Sequence, residues 1–288
     1  MKIALLGNPG VGKSLIFNQL TGLGVEVNRY PGSSVTLESG SVCFKDEKIE
    51  TVDLPGIYSL DGNSEEETLV RKFLEDGGAD VIVAVIDATK LERNLYLFLQ
   101  VAELAPKMIA VVNMMDLAER QGLSISAPVL SSSLDVPVVL AAASEGRNID
   151  KILPVALGSA RRPEVRVPYD HHIEAALRSL EKTLSTNRAK NLFALQGTDG
   201  DPLLMETAEA ISREIEQRHR MSVRQIIATN RHNLARDIAD KVVSKADGKN
   251  PSTSTASSPG CSRGFRSSVR SSFSSCSRCL LSVRGWRR

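Results

Sequence analysis

The octapeptide Gly7-Asn8-Pro9-Gly10-Val11-Gly12-Lys13-Ser14 constrains the fold more than any other stretch, because it follows a short apolar run and precedes an apolar helical pattern. A glycine-rich turn in that context joins a strand to a helix and aims its backbone amides at anionic oxygens at the helix N-terminus. Asn8, Gly10, Val11 and Gly12 are therefore predicted to line phosphate groups. Lys13 is predicted to reach the β and γ phosphates, and the Ser14 hydroxyl to bind Mg²⁺.

Around this loop, short β-prone runs alternate with helical stretches at 2–7, 41–45, 48–53, 80–87, 108–113 and 136–142. That alternation predicts a doubly wound, mostly parallel sheet. The runs 41–45 and 48–53 are separated only by the charged turn at Asp46 and Glu47, so one strand is predicted to be antiparallel. Ser64, with Glu67 three residues later, forms a capping box ahead of Leu69, Val70 and Phe73.

A chain of 288 residues with 42% hydrophobic content can bury more than one core. Residues 1–160 read as an α/β nucleotide-binding domain, and the two prolines of 161–168 mark a linker. Beyond it the period becomes helical. Ile173, Leu177, Leu180 and Leu184 share one face, as do Leu204, Ala208, Ile211 and Ile215, and then Leu234, Ile238 and Val242. With no further β run, residues 169–246 are predicted to form a small all-α bundle.

Acidic residues stop at Asp247 while arginine continues to Arg288, so the formal charge of +2 averages an acidic body and a basic tail. The Ser- and Arg-rich residues 247–288 are predicted to be disordered, with an out-of-frame translation as their expected origin. No apolar run reaches the roughly 18 residues of a membrane helix, and MKIALLG lacks a signal-peptide cleavage region. As written, the chain is expected to be soluble and internal. Cys43 stands apart from Cys261, Cys276 and Cys279, so no disulfide framework is expected in the folded part.

Three further segments fit a guanine nucleotide. Asp53-Leu54-Pro55-Gly56 ends a β run beside the phosphate loop, with Asp53 placed to hold Mg²⁺ through water and the Gly56 amide to sense the γ phosphate. Asn113-Met114-Met115-Asp116 ends another run. A carboxylate there accepts both N1 and N2 protons of guanine, whereas adenine offers no such pair, so Asp116 selects the base and Asn113 ties its loop to the phosphate loop. Ala143-Ser144-Glu145 either offers a backbone amide to the guanine oxygen or is a plain strand-to-helix loop. Between the first helix and the next run, Tyr30 to Thr36 reads as a switch loop supplying a hydroxyl to Mg²⁺. Ser34 is the first choice for that hydroxyl and Thr36 the second.

In this order the motifs resemble the G domain of the ferrous iron transport protein B (FeoB) family of bacterial and archaeal membrane proteins. The likeness is carried by VDLPGIYSL (52–60), LERNLYLFLQ (91–100) and FNQLTG (17–22), and it extends over about residues 1–246. The resemblance implies an α/β P-loop GTPase with one antiparallel strand, followed by a small helical domain. It also implies GTP and GDP as ligands with Mg²⁺, and GTP turnover that controls Fe²⁺ passage through a membrane iron-transport domain. The place implied is the cytoplasmic side of the inner membrane, with a homo-oligomer as one state and no nucleic acid as partner.

Two departures bear on chemistry. Many members carry Asn, linked to K⁺ activation, where this chain has Gly10, and Gly-Val-Thr-Val where it has Gly32-Ser33-Ser34-Val35. Ile57 stands where Ras-like switches place a water-orienting glutamine, so hydrolysis is predicted to be slow. Tyr58 and Glu65 to Glu67 are alternatives for that task, but packing and helix capping account for them. His171, His172, His219 and His232 are expected to be solvated or helix-terminal and not iron ligands, because adjacent residues diverge on a helix. The rival function is a free-standing translation or ribosome-assembly GTPase. The even mix of acids and bases in 169–246 argues against the RNA-binding surface such a protein needs.

Overall fold

Among the described residues, strand and helix alternate as far as residue 159, and four helices account for most of 171–242. The computed structural model describes residues 1–22, 25–29, 35–45, 47–62, 64–104, 106–198 and 201–245. Ser34 and the rest of 30–34, Asp46, and the tail from 246 onward lie outside the described residues.

The strands are β1 (Lys2–Gly7), β2 (Val25–Arg29), β3 (Thr36–Phe44), β4 (Glu47–Asp53), β5 (Val81–Asp87), β6 (Met108–Asn113), β7 (Leu123–Ile125) and β8 (Val138–Leu140), with β9 (Val243–Lys245) near the far end. Seven of the described strands form one sheet in the order β2-β3-β4-β1-β5-β6-β8. The pairs β4-β1, β1-β5, β5-β6 and β6-β8 are parallel, while β3 runs antiparallel to both of its neighbours. This is the mostly parallel sheet with one antiparallel strand that the run spacing predicts.

The central strands are buried on both faces, as helical crossovers require. Alternation along each strand divides two cores. Ile3 and Leu5 of β1, Val81, Val83 and Val85 of β5, and Ile109 and Val111 of β6 face one side. They pack with Ile16 and Phe17 of α1 (Lys13–Thr21) and with Ile152 and Ala156 of the helix 152–159. Ala4, Leu6, Ile82, Ala84, Ile86, Ala110 and Val112 face the other side.

On that second side lie α2 (Glu65–Glu75), α3 (Leu91–Glu103), α4 (Met115–Arg120) and α5 (Ala127–Leu134); the helix 152–159 becomes α6. The capping box at Ser64 is present, with the Glu67 amide donating to Ser64 Oγ at 3.1 Å and the Ser64 amide to a Glu67 carboxylate oxygen at 3.4 Å.

The remaining helices are α7 (His171–Leu184), α8 (Arg188–Leu195), α9 (Pro202–His219) and α10 (Val223–Val242). Ile173, Leu177, Leu180, Leu204, Ala208, Ile215, Ile238 and Val242 are buried as their spacing predicts, while Leu184, Ile211 and Leu234 pack at the edge. Helix α3 explains how the two parts adhere. Every residue from Asn94 to Ala102 is buried, because α3 is covered by the sheet on one side and α10 on the other. Each fully buried Leu or Phe there contributes about 1.5–3 kcal/mol.

Three strands, β2, β7 and β9, add to the sequence-based expectation. β2 extends the sheet beyond β3, and β9, a three-residue strand directly after the helical bundle, pairs antiparallel with β7. β7 and β9 have three residues each, and β9 directly follows α10 without a turn residue to announce it. Among the described residues, no helix is long and apolar enough to cross a membrane.

Candidate functional site

Strands β1, β4 and β6 end at one edge of the sheet, and the residues that follow them converge there. The turn after β1 opens α1 through Gly12, whose φ of 85° suits glycine. A Cβ at Gly12 would also stand 2.4 Å from Asn113 Nδ2. Sterics and backbone conformation thus both require glycine at this position.

Lys13 and Ser14 start the helix and meet the last residue of β4. Lys13 Nζ lies 2.5 Å from Asp53 Oδ1, and Ser14 Oγ donates to Asp53 Oδ2 at 2.7 Å. Lys13 and Asp53 are both buried. The Lys13 ammonium is therefore held against a carboxylate, where the sequence alone suggests a side chain free to project.

The loop after β4 lies over the phosphate loop. Leu54 N donates to Leu5 O at 3.1 Å, and Ile57 N approaches Gly7 O at 3.4 Å. A Cβ on Gly56 would stand 2.9 Å from Pro9 Cα, so the backbone passes too close for any larger residue. Ile57 is buried in the core and directs no side chain to water. Tyr58 is exposed, with the Arg93 guanidinium 4.4 Å from its ring centre.

After β6, Asn113 spans two loops. Its Nδ2 donates to Val11 O at 2.9 Å, and its Oδ1 accepts from Ala143 N at 2.9 Å. Asp116 Oδ2 accepts from Ser144 Oγ at 3.1 Å, while Asp116 Oδ1 is buried without a hydrogen-bond partner. Asn8 Oδ1, in the phosphate loop, is likewise buried and unpartnered.

Both backbone groups of Ala143 are engaged, since its carbonyl accepts from Gln19 Nε2 at 2.8 Å. The amide of Glu145 donates to Ala142 O at 3.0 Å. Ala143 therefore braces the loop, its amide already given to Asn113. Ser34 lies outside the described residues, and Thr36 opens β3 with its side chain exposed.

A buried polar group that the sequence reading did not single out lies behind this edge. Arg231 of α10 is 1% exposed and donates to Asp61 Oδ2 at 2.8 Å, to Glu103 Oε2 at 2.8 Å and to Tyr169 OH at 2.9 Å. Burial alone would lower the guanidinium pKa, but Glu103, Tyr169 and Asp61 outweigh it and hold Arg231 well above its ordinary value. Burial, followed by Glu103, pushes the Tyr169 hydroxyl well up, and burial raises Glu103 itself against the pull of Arg231. A sequence signal did exist. Arg231 falls on the helical stripe of Ile227, Leu234 and Ile238, and a charge in a core position demands a partner.

A cleft of about 450 Å³ runs beside these groups, lined by Asn8, Tyr58, Asp61, Arg224 and His232 among others. His232 stacks on Tyr96 with ring centres 4.2 Å apart. His171, His172 and His219 are helix-terminal as expected, but the first two do not diverge. The His171 and His172 rings are 3.8 Å apart, and His219 Nε2 lies 2.9 Å from His172 Nδ1. His172, in the first turn of α7, packs its ring edge-on against His219 at the end of α9.

Residues 1–155 match the family model described as ferrous iron transport protein B, and residues 169–244 match the one described as the FeoB cytosolic helical domain. The chain is 41% identical over 153 residues to the Fe(2+) transporter FeoB of Campylobacter jejuni, covering 53% of this chain and 25% of that protein. It is 35% identical over 211 residues to the Fe(2+) transporter FeoB of Escherichia coli K12, covering 70% and 27%. It thus spans about a quarter of the length of these curated relatives. Among solved structures, a mutant of S. thermophilus NFeoB bound to GDP superposes with a TM-score of 0.76 at 30% identity, covering 83% of this chain and 99% of that one. The cytosolic domain of L. pneumophila FeoB gives 0.75 at 30% identity, covering 85% and 100%.

Proposed function

The chain belongs to the ferrous iron transport protein B family, and from that premise we propose that it is the GTP-binding and GTP-hydrolysing regulatory part of a ferrous iron membrane transporter. Its G-domain fold is that of the family. Residues 1–160 bind and hydrolyse nucleotide, residues 169–246 form the regulatory helical domain, and a membrane domain passes Fe²⁺. The chain works on the cytoplasmic side of the inner membrane.

The observation that carries this reading is the convergence of Lys13, Ser14 and Asp53 at the N-terminus of α1. The backbone amides from Gly10 to Ser14 and the helix dipole receive the phosphates. Lys13 exchanges Asp53 for β- and γ-phosphate oxygens, remaining charge-paired throughout.

The donor set also fits Mg²⁺. Ser14 Oγ and Asp53 Oδ2 are 2.7 Å apart, close to the roughly 2.9 Å edge of an octahedron of oxygens with metal distances near 2.05 Å. Ser14 would bind the ion and Asp53 would hold it directly or through water. When bound, the ion neutralises charge on the β and γ phosphates.

Asp116 reads the base with its unpartnered buried oxygen, and Ser144 holds the other oxygen in place. Because the amides of Ala143 and Glu145 are engaged, the Ser144 amide is the donor for the guanine oxygen. Gly56 N–H faces the γ phosphate, and Ser34 supplies the switch hydroxyl. Ile57 packs into the core and orients no water, so the GTP-bound form is long-lived.

The test is equilibrium binding of GTP, GDP and ATP to the purified chain with and without Mg²⁺, followed by single-turnover phosphate release. Tight, Mg²⁺-dependent GTP binding and slow release are expected. ATP binding as tight as GTP would overturn the reading.

A further inference from the structure

We propose that Asp170, His172 and His219 form a binding site for a first-row divalent transition-metal ion, separate from the nucleotide site. Asp170 caps α7, His172 lies in the first turn of that helix, and His219 is the last residue of α9. The site would join the start of one helix to the end of another.

One potential ligand atom from each residue converges on a single point. His219 Nε2 is 2.9 Å from His172 Nδ1, His172 Nδ1 is 3.2 Å from Asp170 Oδ1, and His219 Nε2 is 3.5 Å from the same oxygen. A point lying about 0.9 Å above the plane of these atoms is roughly 2.05 Å from all three, the bond length that imidazole and carboxylate ligands adopt with zinc. The corresponding edge of a tetrahedron is about 3.3 Å and of an octahedron about 2.9 Å, so the observed edges span both geometries.

Protons satisfy this triangle poorly. His172 Nδ1 faces both other atoms, yet a neutral ring nitrogen carries either one proton or one lone pair. As a donor it would share one proton between Asp170 and His219; as an acceptor from His219 it would turn its lone pair toward the carboxylate. Protonating both rings would oppose two cations. One metal ion satisfies all three lone pairs together.

The supports are in place before any ion arrives. Asp170 Oδ1 also accepts from His172 N at 2.9 Å, which fixes the carboxylate. Arg220 follows His219 at a φ of 54° and ends α9 there. Side-chain exposures of 27% for His172, 26% for His219 and 29% for Asp170 leave room for water on the open side. Two imidazoles with one carboxylate suit Zn²⁺, Co²⁺ or Fe²⁺ and disfavour Mg²⁺ and Ca²⁺. His171, its ring tilted 38° against that of His172 and largely exposed, lies outside the triangle.

The experiment uses tag-free, chelator-treated full chain with GDP and excess Mg²⁺ present, titrated with Co²⁺ and Zn²⁺. Cys43 and the tail cysteines are competing ligands, and Co²⁺ separates the cases because thiolate coordination adds intense near-ultraviolet charge transfer. One Co²⁺ per chain with a nitrogen and oxygen spectrum is expected, together with a metal-dependent rise in melting temperature. The double variant His172→Ala/His219→Ala should lose that spectrum and weaken Zn²⁺ binding by at least about tenfold. Asp170→Asn, which keeps the helix cap, provides a second variant with the same expected direction. No saturable Co²⁺ spectrum in the parent, or one left unchanged by these variants, would overturn the proposal.

Discussion

Arg231 of α10 donates from Nη1 to Asp61 Oδ2 at 2.8 Å, joining the loop that follows the Asp53-Leu54-Pro55-Gly56 turn to a helix 170 residues later in the chain. Both groups are buried. Arg231→Ala would leave Asp61 and Glu103 without their counter-charge, and breaking a buried pair in this way costs about 3–5 kcal/mol. Arg231→Lys should recover little, because one ammonium cannot replace a planar fork that reaches Asp61, Glu103 and Tyr169 together. Urea unfolding of the three proteins checks this. A loss below about 1 kcal/mol for Arg231→Ala would mean that Asp61 and Glu103 find other partners.

Asn113 braces the site from within. Its amide holds Val11 O and Ala143 N at once, so Asn113→Ala leaves a buried carbonyl and a buried amide unsatisfied. Each unsatisfied group costs about 1–3 kcal/mol. Thermal unfolding should fall, and GDP affinity should fall with it because both nucleotide loops loosen. A variant with parental melting temperature and weakened GDP binding would instead make Asn113 a direct ligand.

Lys13→Ala should abolish tight triphosphate binding. It should also lower stability without nucleotide, since Ser14 is then the one side-chain partner left to Asp53 among the described residues. Adding Asp53→Asn to Lys13→Ala removes the stranded carboxylate and should recover stability but not affinity. Recovery of both would place Lys13 outside the phosphate site.

Much of this was legible in the sequence because it rests on local rules. The strand, glycine turn and helix around Gly12 follow from spacing, as does the capping box of Ser64 and Glu67. β5 and β6 announce themselves as unbroken apolar runs. The short strands β7 and β9 do not, since three residues carry no period and their pairing is set by where α10 ends. The site residues that depend on distant partners were the hidden ones. Nothing near Ala143 in sequence reveals that Asn113 takes its amide, and His219 is 47 residues from the histidine it meets. Arg231 was the exception, detectable as a charge on an apolar helical stripe.

Hydrolysis should be slow and no faster in KCl than in NaCl, because Ile57 is buried and Gly10 has no side chain to hold an alkali cation. An arginine finger is worth about 10³–10⁵ in rate, which sets the size of the deficit when no equivalent cation acts. Gly10→Asn should introduce K⁺ sensitivity. A Cβ at Gly10 meets nothing within 4 Å, and Asn tolerates the local φ of 78° better than most residues. Single-turnover cleavage in the two salts compares parent and variant; strong K⁺ stimulation of the parent would contradict the account.

Competition among GDP, XDP and ADP tests whether this chain reads guanine through Oδ1 of Asp116, which is buried without a hydrogen-bond partner. The parent should prefer GDP over both others. Asp116→Asn exchanges an acceptor for a donor, so it should lose about 3 kcal/mol of GDP binding, roughly a hundredfold, and come to prefer XDP, whose carbonyl replaces the guanine amine. An Asp116→Asn protein that keeps parental GDP affinity and still rejects XDP would remove Asp116 from the base pocket and contradict the account.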